Sequence, residues 1–325
     1  MRMIFLHGLL ILFSISAALP SGANAQTREK GPWWPHPIWG PEDQAGGSNW
    51  ITPEKILQSL SVIKTGKVYE LGFPYHRGMP LVLQRSYSMF LPGMPTGGPS
   101  EGTGSVYNDE FLCAEIGQVG TQFDGPGHVG KRIMMENGRE QDVFYNGFTI
   151  DEMRSPYELQ KLGVENIKPY ITKGILIDVA AYKGVDVLPE AYVVTLEDVE
   201  NALDRQNIGE SSIEPGDAIL FNFGWWQLID DSETYLSFNW PGLDAEVVQW
   251  LINRKVSMIG SDASGDPPSQ DGVHQNLIMK NGIFNQEFMT FEELIADQVQ
   301  EFLFIFTPIR FKGATGSPGR PIAIR

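Results

Sequence analysis

The chain has 325 residues, 42% of them apolar, and a formal net charge of −16. It is long enough for one large domain or two small ones and apolar enough to bury a core. Its acidity excludes holding nucleic-acid phosphates by bulk charge, and solubility alone accounts for it. The one cysteine, Cys113, excludes an internal disulfide.

The N-terminus reads as a secretory signal peptide. Met1-Arg2 is a short positive region, Met3 to Leu19 is almost wholly apolar apart from His7, and Ala23-Asn24-Ala25 supplies small residues for cleavage after Ala25. A membrane anchor is the alternative, but the run ends in Pro20, Ser21 and Gly22 and not in a basic stop signal. The expectation is a periplasmic or secreted protein spanning 26–325, with no membrane contact once residues 1–25 are gone. Removal takes only Arg2 among charged residues, so the mature charge becomes −16 − 1 = −17.

Trp33, Trp34, Pro35, Pro37 and Trp39 form a rigid aromatic lead-in, read as a strap over the domain or a dimer contact, with a lid over a pocket as the other reading. Thr52-Pro53-Glu54 predicts a helix to about Ile63, with Thr as cap, Pro at the first position and an acid in the first turn. Val68 to Leu71 reads as a strand, residues 87–108 as a long loop, and Glu110 to Val119 as a return to strand. Cys113, between Leu112 and Ala114, reads as a small core residue. Buried strands are expected at Ile175–Val179, Asp217–Phe223, Val256–Ile259 and Phe302–Phe306. Helices capped by Thr195 and Asp244 lie between them. Strands alternate with helices, yet several follow one another through turns alone, which predicts a mixed-sheet α/β fold in one domain.

The densest chemical stretch runs from Gln118 to His128. If the chain is extended from Gln118 to Asp124, then Gln118, Gln122 and Asp124 share one face. The turn Gly125-Pro126-Gly127 can then swing His128 back beside Asp124. The residues alone leave open a polar turn with a structural histidine.

This stretch resembles the signature of the metal-dependent cyclase superfamily, which includes bacterial kynurenine formamidase and isatin hydrolase. The family pattern is His-x-Gly-Thr-His-x-Asp-x-Pro-x-His. Gly120, Thr121, Asp124, Pro126 and His128 match it in register, while Gln118 and Gln122 replace the two leading histidines. Trp39 to Gln44, Gly216 to Leu220, Gly260-Ser261-Asp262 and Gly313 to Pro318 are similar to the family as well. The resemblance implies a cyclase-like mixed-sheet α/β domain of the swivelling β/β/α type, a homo-oligomer, and a small-molecule substrate.

The resemblance also implies a divalent metal site completed by His274 and Glu287. Its ligand set would be Gln118, Gln122, Asp124, His274 and Glu287, with Asp124 and His128 catalytic and His128 as acid/base. A glutamine oxygen is a weaker ligand than imidazole, so the site should hold its metal, manganese or zinc, more weakly, and suit a hard ion such as manganese, magnesium or calcium better than zinc. The expected reaction is arylformamidase-like hydrolysis of an amide, imide or lactone bond. Phe123, Trp225 and Trp226 are expected as an aromatic pocket wall, although the two tryptophans can equally end a core strand and pack. Two other readings stay open: a metal-free lyase or cyclase using Asp124 and His128, and a non-catalytic periplasmic binding protein on the same fold.

Overall fold

A computed structural model describes residues 30–268, 270 and 272–325; the signal-peptide pattern of residues 1–25 lies outside them. Local chemistry sets the helices where the caps predict them. Thr52 accepts a hydrogen bond from the Lys55 amide at the start of Pro53–Ser59, and a short 3₁₀ turn, Leu60–Val62, finishes that run. Thr195 and Asp198 form a reciprocal capping box on Leu196–Arg205. Asp244 caps Ala245–Arg254 through the Val247 amide.

Nine strands form one mixed sheet. Their order across it is Val68–Glu70, Ile322–Ile324, Glu301–Phe306, Tyr170–Asp178, Ala218–Asn222, Met258–Ser261, Phe284–Glu287, Gln122–Asp124 and Gly316–Pro318. The four from Tyr170–Asp178 to Phe284–Glu287 run parallel, and the other pairings are antiparallel. Parallel strands covered on both faces favour apolar runs, as in Ile175 to Ile177 and Ala218 to Phe221, and alternation sorts those residues into two cores. Ile175, Ile177, Ile219, Phe221 and Ile259 join one, with Val199, Leu203, Val247 and Leu251 from the two capped helices. Leu176, Leu220, Met258 and Phe284 join the other, with Phe123, Phe302 and Phe304. No helix among the described residues is long and apolar enough to cross a membrane.

The aromatic lead-in is a strap bonded to the body. Trp34 is buried, the His36 amide donates to Asn146 Oδ1 at 2.7 Å, and the Asn146 amide donates to the Gly40 and Asp43 carbonyls.

Two expectations between residues 87 and 119 are corrected. The stretch contains a two-stranded ribbon, Tyr87–Phe90 paired with Phe111–Ala114, apart from the main sheet. Cys113 is exposed, because its strand has one partner strand and no core face to point into. The extended run predicted for Gln118 to Asp124 is also shorter: strand geometry covers only Gln122–Asp124, and Gly120 turns the chain before it at φ +62°.

Candidate active site

The site is built where the Gln122–Asp124 strand lies between Phe284–Glu287 and Gly316–Pro318. The register places Asn285 opposite Asp124 and Glu287 opposite Gln122. Because side chains alternate, Gln122, Asp124, Asn285 and Glu287 share one face, while Phe123 and Gln286 point to the other. Gln118 returns to Asp124 through the turn that Gly120 makes, and its Nε2 donates to Asp124 Oδ1 at 3.0 Å. Gly316 leaves room for that amide: a Cβ there would stand 2.7 Å from Gln118 Nε2 and 2.5 Å from the Gly117 carbonyl oxygen.

The turn after Asp124 closes with the His128 amide donating to the Gly125 carbonyl at 3.1 Å. It brings His128 Nε2 to 3.7 Å from Asp124 Oδ1. His274 comes from a π-helical stretch, Val273–Met279, a geometry enriched at functional sites. Its Nε2 is 3.5 Å from Asp124 Oδ2 and 3.4 Å from Glu287 Oε1. Candidate ligand atoms of Asp124, His128 and His274 lie within 4.8 Å of one another, and Glu287 adjoins this cluster through His274.

Glu287 is held on several sides. Gln122 Nε2 donates to its Oε2 at 3.0 Å; Ser264 Oγ and Asn285 Nδ2 donate to its Oε1 at 3.1 and 3.3 Å. Phe288, next in the chain, sits at φ +53°, an uncommon conformation for a bulky residue. The Thr121 hydroxyl bonds to its carbonyl at 2.7 Å and so pins the end of the strand. The carboxylates form a buried floor, and the imidazoles, about one-fifth exposed, form the mouth.

The electrostatics follow from that arrangement. Burial opposes the ionised form of Asp124, but the neighbouring His128 and His274 and the Gln118 amide hold its carboxyl below the usual range. Burial and the Asp124 charge push Glu287 up to about 8. Burial opposes charge on His274 too, yet Asp124, Asp266 and Glu287 outweigh it and hold the imidazole pKa well above its ordinary value. A pocket that holds positive charge so firmly has the electrostatics of a cation site.

Orphaned acceptors test the fit of a metal directly. Gln118 Oε1, Gln122 Oε1 and Asp124 Oδ2 are buried with no hydrogen-bond partner among the described residues, though His274 Nε2 lies 3.5 Å from the last. Unpaired buried oxygens are rare, and a cation bound by Asp124 would give its Oδ2 a partner. Two carboxylates, imidazole nitrogen and amide oxygens make a donor set that suits a divalent ion.

The expected aromatic wall is corrected. Phe123 is fully buried on the opposite face, against Tyr170, Phe284 and Phe306. Trp225 is buried, with its indole N–H on the Tyr235 carbonyl at 3.3 Å. Trp226 lines a cavity of about 470 Å³ with Asp178 and Asn222, beyond the ends of other strands. Apolar residues near the Gly120 turn are instead Phe73, Met79, Tyr235 and Phe288, around a small cavity of about 60 Å³.

Three residues at the cluster were not singled out from sequence: Ser264, Asp266 and Asn285. Asp266 and Ser264 follow closely on Gly260-Ser261-Asp262, and that proximity was the available signal. Asp262 itself is buried; burial pushes it up to about 7, against amide donors that include Phe223 at 2.9 Å and Trp226 at 3.2 Å.

Comparison with known proteins bears on the fold and the family. The crystal structure of a novel cyclase is 28% identical, with a TM-score of 0.77, over 88% of this chain and 98% of that one. Isatin hydrolase A from Ralstonia solanacearum is 18% identical, with a TM-score of 0.54, over 85% of this chain and 99% of that one. Isatin hydrolase A from Labrenzia aggregata is 17% identical, with a TM-score of 0.56, over 82% and 98%. A search of curated protein sequences gives no match. Residues 69–265 match the Cyclase family, more than half of the chain, and this protein is a member of that family.

Proposed function

We propose that this protein is a metal-dependent hydrolase that opens an amide, imide or lactone bond, with arylformamidase-like chemistry. The observation that carries the reading is the convergence of Asp124, His128 and His274 over buried oxygens without partners. Asp124, His274 and Glu287 would hold a divalent ion, manganese before zinc, and Gln118 and Gln122 would be further candidate ligands through their amide oxygens. When bound, such an ion polarises a carbonyl and makes water more acidic.

The chain's own residues do the rest. The Gln118 amide fixes Asp124, and the Gln122 amide and Ser264 fix Glu287, so neither carboxylate must reorganise. His128 stands at the mouth beside Asp124, exposed enough to meet substrate, and an imidazole ring can both accept and donate a proton. It would take a proton as the nucleophile attacks and return it to the leaving nitrogen or oxygen. The isatin hydrolases sharing this fold support hydrolysis as the reaction class. The N-terminal signal pattern supports a periplasmic enzyme, and the family resemblance supports a homo-oligomer.

The test is His128→Ala, assayed on a panel of aryl formamides, cyclic imides and lactones. Turnover should fall roughly 10²–10⁴-fold, the scale of positioned acid–base catalysis, while manganese content stays unchanged. Loss of manganese with turnover would remove His128 from the acid/base role. A panel that wild-type protein leaves intact would sink the hydrolase reading.

A further inference from the structure

We propose that Asp266 is the positioning residue for His274: one carboxylate holds both the imidazole Nδ1 and the start of the π-helical stretch, so that Nε2 is aimed at Asp124 and Glu287. The proposal rests on the cation-site reading, since aiming Nε2 matters to function only if that nitrogen is a ligand.

Three contacts converge on this one side chain. Asp266 Oδ1 accepts the Val273 amide at 2.6 Å, and Oδ2 accepts the His274 amide at 3.1 Å. The same Oδ2 lies 2.7 Å from His274 Nδ1. The first amides of a helical segment have no partner within it, and Gly272 has no side chain to supply one. Asp266 supplies it from the preceding loop, which is itself anchored by the Leu243 amide on the Gly265 carbonyl at 2.9 Å.

The chemistry at the ring follows. A carboxylate is an acceptor only, so the Nδ1 facing Asp266 must carry the hydrogen, and the free lone pair of a neutral ring is then on Nε2. That nitrogen is the one 3.5 Å from Asp124 Oδ2 and 3.4 Å from Glu287 Oε1. A carboxylate behind a ligating histidine fixes its tautomer and its orientation together. Here the same carboxylate also accepts the Val273 and His274 amides, so the group that orients the ring is itself fixed to the backbone.

The test uses the full chain, Asp266→Ala, His274→Ala and the double variant, each checked for fold by circular dichroism. With ¹⁵N-histidine labelling and no added cation, wild-type protein should show a hydrogen-bonded imidazole N–H resonance, assigned by its loss in His274→Ala. That resonance should be absent from Asp266→Ala, and its survival there overturns the proposal. Calorimetric titration with manganese should then show binding roughly 10–100-fold weaker in Asp266→Ala, with no further loss when the change is added to His274→Ala. Equal losses in both backgrounds mark a merely structural aspartate and overturn the proposal. Should the alanine variant not fold, Asp266→Asn carries the same comparison of manganese affinities. Wild-type protein that binds no manganese yet keeps the Asp266-dependent resonance sinks the cation-site reading and leaves the positioning role standing.

Discussion

The strands Phe111–Ala114 and Gln122–Asp124 are near neighbours in the chain, both short and both carrying a phenylalanine, yet their surroundings are opposite. Gln122–Asp124 has a partner strand on each edge, and Phe123 is wholly buried. Phe111–Ala114 has one partner, and Phe111 is 59% exposed. The exposed strand is the more apolar of the two in sequence, so the difference is what the rest of the fold brings alongside. The buried strand gains a rigid face on which carboxylates, amides and imidazoles can be fixed. The ribbon, by contrast, presents Phe90, Phe111 and Leu112 to solvent.

Truncation breaks this comparison most sharply. Phe123→Ala should destabilise the protein by about 3–5 kcal/mol, the cost of emptying a buried aromatic site. Phe111→Ala should cost less than about 1.5 kcal/mol, the upper end of what its stacking on Phe90 is worth. Urea unfolding of the two variants measures both. Similar losses would mean that the ribbon is as much a part of the core as the sheet.

A smaller effect sharpens the account of the buried face. Glu287 titrates near 4.5 unfolded and near 8 in the cation-free fold. Between those values the folded state binds the extra proton, so cation-free stability falls as pH rises. His274, also raised, acts in the same direction. A cation needs Glu287 ionised and His274 neutral, so its uptake expels protons and tightens with pH. Manganese should therefore raise the melting temperature more at pH 8.5 than at pH 6. Each tenfold gain in affinity adds about 1.4 kcal/mol, worth roughly 3 °C in a large domain. A shift independent of pH would detach Glu287 and His274 from the cation.

Much of the fold was legible because its signals are local. Thr52, Thr195 and Asp244 cap helices through their own side chains, and β-branched runs such as Ile175–Val179 mark buried strands. The motif turn was legible for the same reason, since Gly125 to His128 folds back on Asp124 within a few residues. What could not be read depends on contacts distant in sequence. Whether Cys113 is covered depends on strands that never reach it. The face Phe123 occupies follows from pairing with Phe284–Glu287 and Gly316–Pro318, and this put it in the core and not at the substrate. Asn285 reaches the site only through that same register. Asp266 is near His274 in sequence, but its grip requires the π-helical stretch, which no composition or spacing announces.

The central claim is that the Asp124 cluster, with glutamines at two positions where the family has histidines, still holds a divalent cation. The direct measurement is calorimetric titration of manganese into metal-stripped wild type, Asp124→Ala and Gln118→His/Gln122→His, side by side at neutral pH. Wild type should bind one manganese per chain, Asp124→Ala none, and the double histidine variant should bind more tightly, since imidazole nitrogen is a stronger ligand than an amide oxygen. Equal affinity in wild type and Asp124→Ala, or negligible binding in both wild type and the histidine variant, would contradict it.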